Sequence, residues 1–268
     1  MDEPQYIHWL VEEDGIKIKD NIVIKCYKIN YQDDDTILND WALHIRKNYI
    51  DDEILEDDAL ENGMSVEQYL HDYVIPQKDE SLGSTARSAD ITEILVADLL
   101  EFVFGYSVPR YKLKNRSGKN NPQQGTDVIA YKYYNDDKIP SNKDELVSAE
   151  VKAALSKSEY TPIENAIVDS KKDEHRLART IDYCRKRLKE LGKKSESDEV
   201  KRFLFKPDNN YKIIYSAVGI SSIEQVDNVI ELSVNGEELG IRKNDKIYFI
   251  HGKNLMKLAH NIYERCRR

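Results

Sequence analysis

Asp127 and the pair Glu150 and Lys152 are the residues of this 268-residue sequence whose types and spacing suit catalysis. The pair sits in ELVSAEVKAAL, residues 145–155, which reads as a short buried strand built on Leu146, Val147, Ala149, Val151, Ala153, Ala154 and Leu155. Side chains alternate along a strand, so Glu150 and Lys152 share one face and Val147, Ala149, Val151 and Ala153 the other. Two charges inside an apolar strand need partners, because a buried unpaired charge is costly or shifts its pKa. A solvated face or an edge strand would satisfy them, and so would a metal site. Asp127 opens the preceding strand, TDVIAYKYY, and if the two strands pair, Asp127 and Glu150 converge at one end of a sheet. Two carboxylates placed this way are hard oxygen ligands for an ion such as Mg²⁺, which keeps water and phosphate oxygens as well. Lys152 would approach an attacking water and a scissile phosphate, orienting or deprotonating the first and offsetting charge on the second. Gly125 permits close backbone approach beside Asp127.

The elements that must position these residues alternate along the chain. SADITEILVADLLEFVFG predicts a helix with Ser88 as N-cap and Gly105 as its stop, buried through Ile91, Ile94, Leu95, Leu99, Phe102 and Val103. PRYKLKNRS predicts a short strand, and the loop GKNNPQQG leads into the strand after Asp127. One long helix is expected over roughly 163–192. YKIIYSAVGIS reads as a strand covered on both faces, DKIYFIHG as another strand and KNLMKLAHNIYERCRR as a terminal helix. Upstream, NIVIKCYKI predicts a strand in a hairpin turning at EDG, and DDDTILNDWALHIRKNYI an amphipathic helix with an acidic start. MSVEQYLHDYVIP predicts a helix capped by Ser65 and ended by Pro76. The order implies an α/β layered fold around a mixed β-sheet.

Composition narrows the class. With 40% hydrophobic and 33% charged residues the chain is globular, and no apolar run is long enough to span a bilayer. The start, MDEPQYIHWL, lacks the basic and apolar regions of a secretion signal. Cys26, Cys184 and Cys266 are odd in number and far apart, which gives no disulfide framework or zinc motif and fits a reducing cytoplasm. The six histidines show no metal-ligand spacing. The net charge of −9 is unevenly placed: residues 1–80 hold 21 acidic and 7 basic side chains, net −14, leaving 28 acidic and 33 basic, net +5, in the rest. The sequence thus divides into an acidic accessory or partner-binding region, 1–80, and a mildly basic body, 81–268, with QKDESLGSTARS at the boundary. Lys119 and a helix bearing Lys172, Arg176 and Arg179 offer the body a cationic face suited to a nucleic-acid phosphate backbone; a merely solvated helix face is the other reading. No Walker-type glycine loop is present, so any ATP use belongs to a partner.

With GTD at 125–127 and EVK at 150–152 in place, the sequence resembles the PD-(D/E)XK nuclease superfamily, although Thr126 stands where the motif's proline would be. The resemblance implies a restriction-endonuclease-like core of helix, three-strand meander, helix and strand over residues 88–221. It also implies an acid on the first helix that completes the metal site; Glu93 is the matching position, with Asp90 and Asp98 weaker ones. The metal is then held by Glu93, Asp127 and Glu150, with Asp127, Glu150 and Lys152 catalytic and Mg²⁺ or Mn²⁺ as cofactor. Beyond the core, NDWALHIRKNYI, VEQYLHDYVIP and DKIYFIHGKNLMKLAHNIYERC are similar to the HamA nuclease subunits of the Hachiman antiphage system. That likeness implies a cytoplasmic DNA endonuclease working beside a helicase subunit (HamB-like), with no membrane. A stand-alone restriction or repair nuclease and a non-catalytic partner-binding subunit are the competing readings.

Overall fold

Asp34 begins the first long helix by accepting hydrogen bonds from the backbone N–H groups of Thr36 and Ile37, at 2.9 and 3.2 Å. That helix, α1 (Asp35–Tyr49), turns Leu38, Trp41, Ala42 and Ile45 inward, as its spacing predicts. After α2 (Asp52–Glu61), Ser65 likewise caps the short α3 (Val66–Tyr69), accepting from the N–H of Gln68. The computed structural model describes residues 2–18, 22–114, 116–121, 125–204, 210–232, 239–242 and 244–267. Asn21, and part of the GKNNPQQG loop, lie outside the described residues.

The strands form one mixed sheet. Strand β1 (Leu10–Ile18) pairs antiparallel with β2 (Val23–Ile29), and β3 (Val128–Lys132) antiparallel with β4 (Glu145–Ala154). Strand β5 (Lys212–Ser221) runs parallel to β4, the two-residue β6 (Val229–Ile230) parallel to β1, and β7 (Lys246–Gly252) parallel to both β5 and β2. The order is β3-β4-β5-β7-β2-β1-β6, so the hairpin of the acidic N-terminal region continues the sheet of the body. Helices cover both faces. Trp41 and Ile45 of α1, Ile94 and Leu95 of α4 (Gly83–Asp98), and Leu258 and Ile262 of the C-terminal helix (Leu255–Arg265) pack with Val147, Ala149, Val218 and Ile220. On the other face, Ile163 and Ile167 of α5 (Thr161–Ser170) meet Ala217 and Phe249. Leu177, Ile181 and Leu188 of α6 (Asp173–Glu190) and Val200 of α7 (Lys194–Lys201) meet Ile129, Tyr131 and Leu146. This is an α/β fold with a restriction-endonuclease-like core: a helix, an antiparallel strand pair, helices and a parallel strand, in that order.

Four local expectations change. Helix α4 starts at Gly83, so Ser88 lies within it, its carbonyl accepting from the Thr92 hydroxyl instead of its side chain capping the end. The predicted helix over 163–192 is two helices parted at Lys171 and Lys172, a break that lets Asp173 turn into the core, where it is fully buried. EDG is a bulge inside β1, between the pairs Glu13–Cys26 and Ile16–Ile24, rather than a hairpin turn. PRYKLKNRS forms no strand among its described residues, and an isolated bridge between Ser107 and Tyr131 stands in for the third strand of the meander. Its cations explain why: Arg110 reaches Asp98 and Glu101, Lys112 reaches Glu93 and Asp127, and Lys114 reaches Asp51. Each side chain is drawn to a carboxylate of a helix or a strand end, which fixes the segment without a ladder.

Candidate functional site

The β3–β4 register positions the acids. Val128 lies opposite Ala149 and Ile129 opposite Ser148, so one further step sets Asp127 against Glu150 at the sheet end. There Gly125 takes a φ of +108°, a backbone that only glycine adopts readily. The Asp127 carboxylate accepts from the backbone N–H of Val151 at 2.8 Å, which locks the two strand ends together.

Glu93 arrives from α4 and meets Asp127 through Lys112, whose Nζ lies 2.8 Å from Glu93 Oε2 and 3.3 Å from Asp127 Oδ1. Glu150 is nearly buried, at 4% exposure. Its Oε1 accepts from Lys152 Nζ at 2.8 Å and its Oε2 from Arg176 at 2.9 Å. Lys152 also pairs with Asp169 of α5 at 2.9 Å. Behind them, Asp173 accepts from Arg176 Nε at 2.7 Å, from the Ser148 hydroxyl at 2.8 Å and from the Thr126 hydroxyl at 3.1 Å. A buried, satisfied carboxylate of this kind fixes the orientation of the arginine that holds Glu150. Glu93, Asp127, Val151 and Lys152 border a cleft of about 600 Å³ whose far wall includes Ser84, Thr85 and Lys157.

The electrostatics carry the mark of burial first and of neighbouring negative charge second. Burial pushes the Glu150 carboxyl up to about 7, with the charge of Asp127 adding to it and Lys152 opposing. Burial pushes Glu93 up to about 8, against the pull of Lys112 and with a further push from Asp127. For Lys152, burial alone would favour the neutral amine, but the hydrogen bonds to Glu150 and Asp169 outweigh it and hold the ammonium above the usual lysine range. In this arrangement Lys152 is a positioned cation and not a proton acceptor.

The donors fit a hard divalent ion, since all three are carboxylates and burial destabilises two of them as anions despite the cations beside them. They are spread rather than gathered. Among the described residues, the one trio with every ligand atom within 4.8 Å of the others is Glu13, Cys26 and His251. An ion at the sheet end would therefore share the space between Glu93 and Asp127 with the Lys112 ammonium, or displace it.

The remaining sequence-derived positions separate. Asp98 lies away from the site, accepting from Tyr6, His44 and Arg110, whereas Asp90 borders a pocket with Glu93, Lys112 and Asp127 but is held by Tyr49 and Arg116. Lys119 is mostly buried, donating to Glu80 at 2.7 Å and to the His71 carbonyl at 2.8 Å, so a phosphate would compete with a carboxylate there. Lys172 pairs with Asp169, Arg176 is committed to Glu150 and Asp173, and Arg179 is exposed. Sequence reasoning missed Lys112, Asp169 and Asp173. The alternation of Lys112 with Arg110 and Lys114 was the one available signal, and it was read as a strand. A family model described as HamA matches residues 4–266, and no curated protein matches the chain.

Proposed function

The chain belongs to the HamA family, and on that premise, which makes it a component of Hachiman antiphage defence, we propose that it is a metal-dependent DNA endonuclease acting with a helicase subunit. The observation that carries this reading is the convergence of Asp127, Glu150 and Lys152 on one sheet end, with Glu93 brought to the same place by α4. Glu93, Asp127 and Glu150 would hold Mg²⁺ or Mn²⁺. When bound, the ion supplies positive charge to the phosphoryl group and makes water a better nucleophile near neutral pH.

The protein's own residues do the rest. Lys152, kept charged and aimed by Glu150 and Asp169, offsets negative charge developing on the phosphate as water adds and the ester oxygen leaves. Arg176, braced by Asp173, keeps Glu150 from rotating away. The cleft bordered by Lys152 and Lys157 admits a strand whose phosphate reaches the acids from the open side. The exposed Lys172, just before α6, and the exposed Arg179 on it lie where the backbone would run on, each neutralised phosphate adding a salt-dependent increment to affinity. ATP-driven movement along DNA falls to the helicase.

Conversion of supercoiled plasmid to nicked or linear forms, with Mg²⁺ and with chelator, tests the assignment. Cleavage should require the metal and should vanish in Asp127→Asn. Undiminished cleavage by that variant would refute the site.

A further inference from the structure

A second set of chemistry-bearing side chains lies on the far side of the sheet from the β3 edge. We infer that Glu13, Cys26 and His251 form a zinc site that ties the N-terminal hairpin to β7. The three residues come from three neighbouring strands, and their ligand atoms all lie within 4.8 Å of one another. Glu13 and Cys26 are direct partners in the β1–β2 ladder, and Cys26 is opposite Phe249 on β7, two residues before His251. All three side chains therefore emerge on one face. The bulge that follows Glu13 takes up the extra residue, so that Glu13 and the fully buried Ile16 can both face this side.

The donor set is a nitrogen, a sulfur and an oxygen, which suits Zn²⁺ and not the all-oxygen preference of Mg²⁺. The imidazole is oriented as zinc ligands commonly are. His251 Nδ1 lies 2.8 Å from the carbonyl oxygen of Ile223, which leaves Nε2 directed at Glu13 Oε2, 3.0 Å away. Acceptors flank both ring nitrogens of a side chain with no solvent exposure. Either a proton sits between Nε2 and Glu13, or a cation takes its place. Cys26 is a free, fully buried thiol beside them. Burial, with a further push from Glu13, raises that thiol to about 12, so zinc would bind with release of its proton to solvent. Glu13 is the one partly exposed member, with a third of its side chain open, and a fourth ligand position would face water on its side.

The residues were opaque in the sequence because they are 13 and 225 positions apart and no ligand spacing links them. The inference does not depend on the nuclease reading. The test is metal analysis of the purified full-length chain after dialysis, together with cobalt substitution. Wild type and Asp127→Asn should each retain about one zinc per chain, and Cys26→Ala should lose it while staying folded by circular dichroism. Cobalt in the wild-type chain should give a thiolate-to-metal absorption band in the near ultraviolet, and Glu13→Gln should weaken cobalt binding. Absence of retained zinc and of the band would overturn the site, as would loss of zinc in Asp127→Asn with retention in Cys26→Ala. Should Cys26→Ala fail to fold, the wild-type cobalt band alone decides.

Discussion

Lys112 stands between Glu93 and Asp127, two carboxylates of the proposed metal site, and it is nearly buried there. Its removal leaves Glu93 and Asp127 facing each other without a counter-charge, and breaking a buried pair costs about 3–5 kcal/mol. Lys112→Met should therefore lower the melting temperature of the metal-free chain, and millimolar Mg²⁺ should recover more of it than it adds to wild type. Equal Mg²⁺ shifts in the two proteins would separate Lys112 from the ion's place. The raised carboxyls make a second residue-scale prediction. Glu150 and Glu93 hold protons up to about 7 and about 8, against 4.5 for an ordinary glutamate. A raised carboxyl favours the folded state below its unfolded pKa, and that contribution is lost as pH rises through the folded value. The metal-free chain should lose stability from pH 4.5 towards 8 at these two groups, and Mg²⁺, which binds the anions, should stabilise it more at pH 8 than at pH 6. Thermal melts across that range, with and without Mg²⁺, check the sign.

At the scale of elements, α5 carries Asp169 to Lys152, and it can do so because β5 lets it close in. A Cβ built at Gly219 would lie 2.7 Å from the backbone nitrogen of Ile163 and 2.9 Å from its Cα. Neither is the end of a flexible side chain, so Gly219→Ala must push the helix outward, at about 1–3 kcal/mol for overpacking. Its melting temperature should fall, and any cleavage activity should fall with it as Asp169 leaves Lys152; an unchanged melt would mean that α5 is not held at this point. The strands that build the site were legible, because TDVIAYKYY is rich in β-formers and ELVSAEVKAAL is apolar around its charges, and the alternation of side chains along a strand puts Glu150 and Lys152 on one face. Helix α1 was legible from Asp34 and its stripe. What could not be read depends on partners distant in sequence. PRYKLKNRS alternates like a strand, yet Arg110, Lys112 and Lys114 are claimed by carboxylates of α1, α4, β3 and their flanks. The break before Asp173 is similarly invisible, since an aspartate in a helical pattern announces a solvated face until Thr126 and Ser148 are known to lie beneath it.

Over the whole molecule, negative charge collects on the N-terminal helices and the carboxylate cleft opens elsewhere, between α4 and the end of β4. Part of the acidic cluster is already paired, Asp51 with Lys114 and Asp52 with Arg46 and Lys47, while Glu53, Glu56 and Asp57 are exposed. Leu60, 79% exposed, lies just beyond them on α2 (Asp52–Glu61). We propose that this acidic surface with its apolar neighbour docks the helicase, because it repels phosphate and would attract a basic patch over several ångströms of solvent. Neutralising Glu53, Glu56 and Asp57 should weaken binding of the helicase and flatten its dependence on ionic strength. Unchanged affinity and salt slope would place the docking surface elsewhere. No helix among the described residues is long and apolar enough to cross a membrane.

The most direct measurement is DNA cleavage by the purified chain, alone and with the proposed helicase partner, in Mg²⁺ and in chelator, for wild type and Lys152→Ala. Loss of a positioned catalytic group costs about 10²- to 10⁴-fold. The prediction is Mg²⁺-dependent cleavage by wild type and a loss of that size in Lys152→Ala, with the variant folded and still bound to the helicase. Cleavage that survives Lys152→Ala at full rate, or that proceeds equally well in chelator, would contradict a metal-dependent nuclease centred on Asp127, Glu150 and Lys152.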